Sequence, residues 1–288
     1  MTASMPRESS VGPVGDAVGF RYTDVGAVPA EWSVDPLSLI ADVRTGPFGS
    51  SLHGSDYVDD GTPIITVEHL SETGIVHENL PLVSDFDKAR LSAYELREGD
   101  IVFSRVGSVD RNSLVGPNED GWLFSGRLLR VRVNSAEVCA SYLSYHFHSE
   151  AFKRRIRSVA VGQTMASLNT QILKSIAVVL PELPEQRAIA QVLEDSDSLI
   201  ASLESLIAKK RDIKKAAMQQ LLTARTRLPG FDGEWRRGPI GDLLRVRHGK
   251  SQKGIEDAAG RFPILATGGR IGSTDTPIHP GPSVLIGR

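Results

Sequence analysis

The sequence predicts an α/β protein: a mixed α/β domain, a long coiled-coil-like helix after it, and a partial second copy of the domain. Three observations predict this. Short β-rich apolar runs alternate with helical periodicity as far as residue 183. No Gly or Pro then occurs from Glu185 to about Arg225. The last sixty residues repeat, in order, the opening features of the first domain. The expected divisions are a loose lead-in at 1–29, a domain at 30–184, a spacer helix at 185–227 and an incomplete second domain at 228–288.

The lead-in is rich in Gly, Pro and Ser, a composition that buries little apolar surface. The globular part starts near "EWSVDPLSLIADV", 31–43, and continues into a polar loop, "TGPFGSSLHGSDY", 45–57. "TPIITVEHL", 62–70, reads as a strand led by Pro63, a position where the missing N–H costs no ladder bond. Gly74 marks a turn. "LREGDIVFSRVGSVDRNSLV", 96–115, reads as turn, strand, turn, strand, with Ile101, Val102 and Phe103 at its apolar centre. In "WLFSGRLLRVRV", 122–133, Leu129, Val131 and Val133 alternate with Arg130 and Arg132. Period two predicts a half-buried strand with both arginines in solvent. "CASYLSYHFHSEAFKRRIRSVA", 139–160, is expected to be helical, with Leu143, Phe147 and Phe152 inward and Lys153, Arg154, Arg155 and Arg157 outward. A polar loop, a helical turn and a strand complete the domain by residue 183.

A helix of about forty residues would be roughly 60 Å long, more than a globular domain usually needs. Its apolar positions step by three and four: Ile189, Val192/Leu193, Leu199, Ile200, Leu203, Leu206, Ile207, Ile213, Ala217 and Leu221. Ser196 and Lys210 interrupt the stripe. An apolar face this wide is unstable in water, so it calls for a second helix. The alternative is a satellite helix packed on its own domain.

The repeat has three parts. "GEWRRGPIGDLLRVRHGKS" (233–251) echoes "AEWSVDPLSLIADVRTGPF" (30–48). "GRFPILATGGRIG" (260–272) echoes "DGTPIITVEHLSETG" (60–74), and "GPSVLIGR" (281–288) echoes "GDIVFSRVG" (99–107). The second copy stops inside its second or third strand, before any counterpart of the "SYLSYHF" helix. It is therefore expected to be poorly packed unless it swaps into another subunit.

The net charge of −2 advertises no global basic field. The distribution is uneven, however. Residues 205–250 hold twelve Lys and Arg against four acids, a local +8 that leaves −10 elsewhere. This suits an anionic partner near the segment, or simply a solvated helix face and a basic linker. With 40% hydrophobic and 24% charged residues the composition is that of a soluble globular protein. The single Cys139 excludes an internal disulfide framework and fits a reducing compartment. The first residues lack an apolar signal core and no 18-residue apolar run occurs, so a cytoplasmic protein with no membrane partner is expected. The motif GxxxxGK[ST], the motif HExxH and a CxxC pair are all absent. His146 and His148 are two apart and would not share a helix face. No catalytic residue and no metal site is expected.

"LPELPEQRAIAQVL" (180–193), followed by a long helix ending in "MQQLLTAR" (218–225) and then "LPGF" (228–231), strongly resembles the specificity subunit of type I restriction–modification systems. The Trp-led start and the "TGPFGSSLHGSDYVDDGTPIITVEHLSETG" and "GDIVFSRVGSV" stretches carry the same resemblance, which covers residues 30–288. It implies a non-catalytic DNA-recognition subunit. Two target-recognition domains would each read half of a bipartite site in double-stranded DNA. Long antiparallel helices would fix the half-site spacing and dock type I methyltransferase subunits, with restriction subunits joined indirectly. It implies no cofactor in this chain; S-adenosylmethionine, ATP and Mg2+ would serve the partner subunits. The present sequence departs from the pattern by carrying one full recognition domain and one spacer helix. Half-length subunits of the family pair, so a second copy of the chain is an expected partner. The alternative is a methyltransferase-docking adaptor or inactive remnant without full site recognition.

Base edges are read by side chains such as Arg, Asn, Gln and Ser, and phosphates by Arg, Lys and backbone amides. Three polar loops supply such groups: Ser50, Ser51 and His53; Arg105, Ser108, Arg111 and Asn112; and Gln163, Thr164 and Asn169. Arg105 and Arg111 are the leading candidates for base or phosphate contact. Arg154, Arg155 and Arg157 would form a basic helix patch for phosphates. Each of these residues could equally sit in an ordinary surface turn or on a solvated face.

Overall fold

The β-rich runs at 62–65, 101–104 and 128–133 all become strands in the computed structural model, which describes residues 19–47, 52–162, 166–277 and 284–285. The chain divides into two units near residue 211. The first begins with β1 (Phe20–Thr23), β2 (Gly26–Pro29), β3 (Ser33–Pro36), β4 (Ala41–Thr45), β5 (Tyr57–Val58) and β6 (Thr62–Ile65). A small hairpin, β7 (Leu70–Ser71) and β8 (Gly74–Ile75), leads to β9 (Leu82–Val83) and the short helix α1 (Asp85–Arg90). Then come β10 (Ile101–Ser104), β11 (Asn112–Leu114), β12 (Leu123–Phe124) and β13 (Leu128–Val133). Helices α2 (Ala140–His148), α3 (Glu150–Val159) and α4 (Thr170–Ser175), then β14 (Ala177–Leu180), lead into α5 (Leu183–Leu221). The expected fold class, a mixed α/β domain with a long helix after it, is found.

The central sheet runs β11-β10-β13-β4, antiparallel throughout. Alternate side chains enter different cores. Ile101, Phe103, Leu129 and Val131 face α2, α3 and α4, where they meet Leu143, Phe147, Phe152, Ile156 and Leu173. Phe147 lies 4.9 Å from Phe103 and 4.5 Å from Phe152, ring centre to ring centre. Val102 and Leu128 face the other way, into a core with Ile65, Leu70, Leu96, Val115 and Phe124. A second sheet, β12-β6-β9-β5, covers that side and contains one parallel pair, β12 with β6. Burial on both faces explains why 101–104 reads as a continuous apolar run rather than an alternating one.

Two expectations need correction. Arg130 is not in solvent: it is 4% exposed, because the second face of β13 is covered. Its guanidinium donates to Asp42 at 2.9 Å. Arg132 beside it donates to both oxygens of the buried Asp100, at 2.7 and 2.6 Å. Burial and the neighbouring Arg132 lower the Arg130 pKa, whereas the Asp100 hydrogen bonds raise that of Arg132. The expected helix at 139–160 is two helices. Ser149 adopts an extended conformation and its hydroxyl accepts from the Phe152 N–H, so it caps α3. Leu143, Phe147 and Phe152 do face inward.

The second unit holds the antiparallel hairpin β15 (Phe262–Ala266) and β16 (Gly269–Thr274). A 3-10 turn follows Pro239 at Ile240–Asp242, just as one follows Pro36 at Leu37–Leu39. The echo of "DPLSLI" in "GPIGDL" is thus an echo of structure. Phe231, Trp235, Leu243, Leu244 and Val246 are exposed, and only Ser273 and Thr274 are buried among the described residues of this unit.

Candidate nucleic-acid interface

The polar loops converge through their backbones. The Gly46 N–H donates to the Leu128 carbonyl at 3.2 Å, and the Arg105 N–H donates to the Arg127 carbonyl at 2.8 Å. Arg105 in turn accepts from the Leu168 N–H at 2.8 Å, and the Gly107 N–H donates to Ala166 at 2.9 Å. Val106 and Val161 each bridge to Ser167. The start of the first loop, the β12–β13 turn, the loop at 105–111 and the segments 161–162 and 166–169 therefore form one contiguous ledge. Gly46 is required there: a Cβ would stand 2.2 Å from the Ser125 carbonyl oxygen.

The candidates divide when placed on this ledge. Ser50, Ser51, Gln163 and Thr164 lie outside the described residues. His53 is exposed, and its N–H donates to Asp56 at 2.7 Å. Arg105 is half-buried and one of its terminal nitrogens donates to the Gly126 carbonyl at 3.3 Å. Ser108 and Arg111 are exposed. Arg111 donates to the Leu70 carbonyl, tying the β7–β8 hairpin to the ledge. Asn112 is withdrawn from any DNA-facing role because it is 1% exposed, inside β11. Asn169 caps α4, accepting from the Ile172 N–H at 2.8 Å. Arg157, one of the three arginines of the expected basic patch, pairs with Asp110 at 2.5 Å, and the neighbouring Lys153 pairs with Glu72. Arg154 is exposed and its Nε donates to the Glu150 carbonyl at 3.2 Å. Arg155 is half-buried, with a buried terminal nitrogen that has no partner among the described residues.

Sequence reasoning missed Arg127. It is exposed at the β12–β13 turn, where its own carbonyl holds Arg105. The signal was present in "SGRLL", a Gly-turn with an arginine at its tip.

The root of α5 is built differently. Gln186 is 1% exposed. Its Oε1 accepts from the Cys139 N–H at 2.9 Å, and its Nε2 donates to the carbonyls of Glu137 at 3.1 Å and Pro181 at 2.8 Å. The Trp32 indole donates to Glu185 at 3.2 Å. Ala190 and Ile189 join the first core, so Ile189 is packed on its own domain rather than held for a partner. Beyond Leu193, the side chains of Leu199, Ile200, Leu203, Leu206, Ile207 and Ile213 are 48% to 61% exposed. Ala217 and Leu221 are half-buried. A cleft of about 470 Å3 beside this root is lined by Glu31, Asp35, Glu137 and Glu182, the wrong sign for a phosphate backbone.

His146 and His148 are core-side residues. The His146 ring meets Phe152 edge-on at 5.5 Å and stacks on Tyr142 at 6.2 Å. Burial lowers its pKa to about 4 and lowers that of His148 as well. A histidine depressed in the fold binds its proton more readily when unfolded, so stability is full above an unfolded pKa near 6.5 and falls as pH drops toward 4. Urea unfolding at pH 7 and pH 4.5 is expected to show an acid loss of up to about 3 kcal/mol from His146. In His146→Leu that part of the loss should vanish; an unchanged pH slope would refute the assignment.

A profile of the family described as "Type I restriction modification DNA specificity domain" matches residues 29–210. The putative type I restriction enzyme MjaX specificity subunit of Methanocaldococcus jannaschii is 32% identical over 211 residues, covering 71% of this chain and 48% of that protein. The type I restriction enzyme MjaVIII specificity subunit of the same organism is 23% identical over 217 residues, covering 74% of this chain and 50% of that protein. The chain thus spans about half the length of these relatives. Among solved structures, the S subunit of a type I restriction–modification system from M. genitalium aligns with a TM-score of 0.54 at 16% identity. It covers 86% of this chain and 63% of that one, a likeness of fold.

Proposed function

The chain belongs to the type I restriction–modification DNA specificity family, and on that premise we propose that it is a non-catalytic subunit that recognises a sequence in double-stranded DNA. The observation that carries this reading is the pairing of two features on one unit. A ledge of polar loops bears Arg105, Ser108 and Arg127, and Arg111 ties the β7–β8 hairpin to it. A 39-residue helix leads away from the same unit with an exposed apolar stripe. The ledge supplies donors to base edges and phosphates, and the stripe supplies a surface that a partner helix would cover.

The partners in this reading are type I methyltransferase subunits, with restriction subunits joined through them, and a second copy of the chain. Charge along α5 favours the second copy in antiparallel register. Between Glu185 and Glu204 the helix carries Glu185, Glu194, Asp195, Asp197 and Glu204 against Arg187, and between Lys209 and Lys215 it carries Lys209, Lys210, Arg211, Lys214 and Lys215 against Asp212. Antiparallel pairing sets each acidic half against a basic one. S-adenosylmethionine, ATP and Mg2+ would be used by the partner subunits. No helix among the described residues is long and apolar enough to cross a membrane, and a cytoplasmic complex is the setting this reading requires.

The test is anisotropy titration of the chain, with a type I methyltransferase subunit, on a pool of duplexes at several salt concentrations. A preferred sequence is expected. Binding with no preference over random duplex would defeat the reading and leave a docking adaptor. In the same titration, Arg127→Ala should weaken all duplexes alike and reduce the salt slope by about one, as the loss of one phosphate contact does. An unaltered slope would remove Arg127 from the interface.

A further inference from the structure

The root of α5 is pinned at one place. Gln186 makes its three hydrogen bonds there, and Ala190 follows one turn later in the first core. One pinned place holds a rod's end without setting its direction. A second contact lies further along. The Tyr145 hydroxyl, on α2, donates to Asp197 Oδ2 at 2.8 Å. Gln186, Ala190, Leu193 and Asp197 are spaced by four, three and four residues, which keeps them on one face of a helix. Along the helix the covering thins in step with this face. Leu193 is the least exposed of the large apolar side chains exposed along α5. Glu194 and Asp197 are half-buried, and residues 198–216 are all exposed.

We propose that the Tyr145–Asp197 hydrogen bond is a strut that sets the direction in which α5 leaves the domain, making Tyr145 and Asp197 positioning residues. The strut sits 11 residues past Gln186, about 16 Å along the axis. Lys210 is about 20 Å further on. Without the strut, a 10° swing about the Gln186 root, about 36 Å from Lys210 along the axis, would displace Lys210 by about 6 Å, nearly two base-pair steps. Burial, then the hydrogen bond to Asp197, raises the Tyr145 pKa, so the phenol keeps its proton and the bond persists across the neutral range. The strut stands apart from the recognition reading; only its consequence for the spacing of DNA contacts rests on that reading.

The experiment is pulsed electron spin resonance on the full chain. Cys139→Ser removes the native thiol, and spin labels go on Ala89→Cys in α1 and Ala208→Cys in α5, both exposed helical positions. Dilution with unlabelled chain suppresses distances between copies. Tyr145→Phe removes the donor and Asp197→Ala the acceptor, and each should at least double the width of the distance distribution. Asp197→Asn keeps an oxygen acceptor and should keep the narrow width, which a general loss of structure would not do. Unchanged widths in Tyr145→Phe and Asp197→Ala would overturn the proposal. If Tyr145→Phe fails to fold, Asp197→Ala decides alone, since it alters a helix side chain outside the core. Absence of any DNA preference in a chain with a narrow distribution would refute recognition and leave the strut standing.

Discussion

Gln186→Leu is expected to lower the midpoint of thermal unfolding of the first unit by about 10 °C. Leucine is close to glutamine in volume, so the substitution opens little cavity and isolates the lost hydrogen bonds. It leaves the Cys139 N–H and the carbonyls of Glu137 and Pro181 without their partner at the root of α5. A buried polar group left alone costs about 1–3 kcal/mol. Two of these bonds are only part-buried and water will relieve them, so a total of about 3 kcal/mol is the reasonable sum. For a unit of this size each 1 kcal/mol moves the midpoint by about 2–4 °C. Scanning calorimetry checks it, with Arg187→Ala, one position away and exposed, as the control expected to change little. A midpoint within 2 °C of the native one would mean that the three bonds contribute nothing net. The result also bears on the strut, because a loosened root gives the second contact nothing to act against.

The second large effect concerns assembly. Leu203→Asp with Ile207→Asp places two carboxylates one turn apart in the middle of the exposed stripe. The isolated fold should not suffer: both side chains are about half exposed and neither belongs to a core cluster. Far-ultraviolet circular dichroism and the unfolding midpoint should stay near native values. An interface that covered this stripe would instead have to bury two charges without partners. Burying each unpartnered carboxylate in place of an apolar contact costs about 1.5–2 kcal/mol or more, so about 3–4 kcal/mol and a loss of at least a hundredfold in affinity follow. Light scattering of the chain alone and with a type I methyltransferase subunit reads this directly. A mass unchanged by the double substitution, with either partner, would show that the stripe is not the docking surface.

Several elements were legible because their cause is local. The absence of Gly and Pro after Pro184, with apolar residues stepping by three and four, predicts a long helix whatever the rest of the chain does, and α5 runs from Leu183 to Leu221. Pro63 before two isoleucines predicts a strand start, and β6 runs from Thr62 to Ile65; a 3-10 turn follows Pro36 and another follows Pro239. The break at Ser149 was legible in principle, since Ser followed by Glu is a helix-start signal inside what reads as one amphipathic run. The candidate site was less legible. Polar residues in loops look alike in sequence, and the sequence does not reveal that Arg111 is committed to the Leu70 carbonyl, Asn169 to capping α4, and Arg157 to Asp110.

What the sequence determined by itself is the class of the protein: strands, helices, the long helix and its apolar stripe, and the resemblance to its family. Each follows from periodicity, turn chemistry or motif within a few tens of residues. Only the tertiary structure decided which polar groups remain available. Arg130 was buried by a second sheet that its own period-two pattern could not foresee, and Gln186, one polar residue among many in the helix, became its anchor. Arg127 was left exposed at a turn that the backbone of Arg105 completes. The physical reason is the same in all three. Whether a charge or an amide is satisfied depends on a partner brought within hydrogen-bond distance by the fold, 88 residues away for Arg130 and 47 and 49 residues away for two of the Gln186 bonds, and no local pattern encodes that meeting.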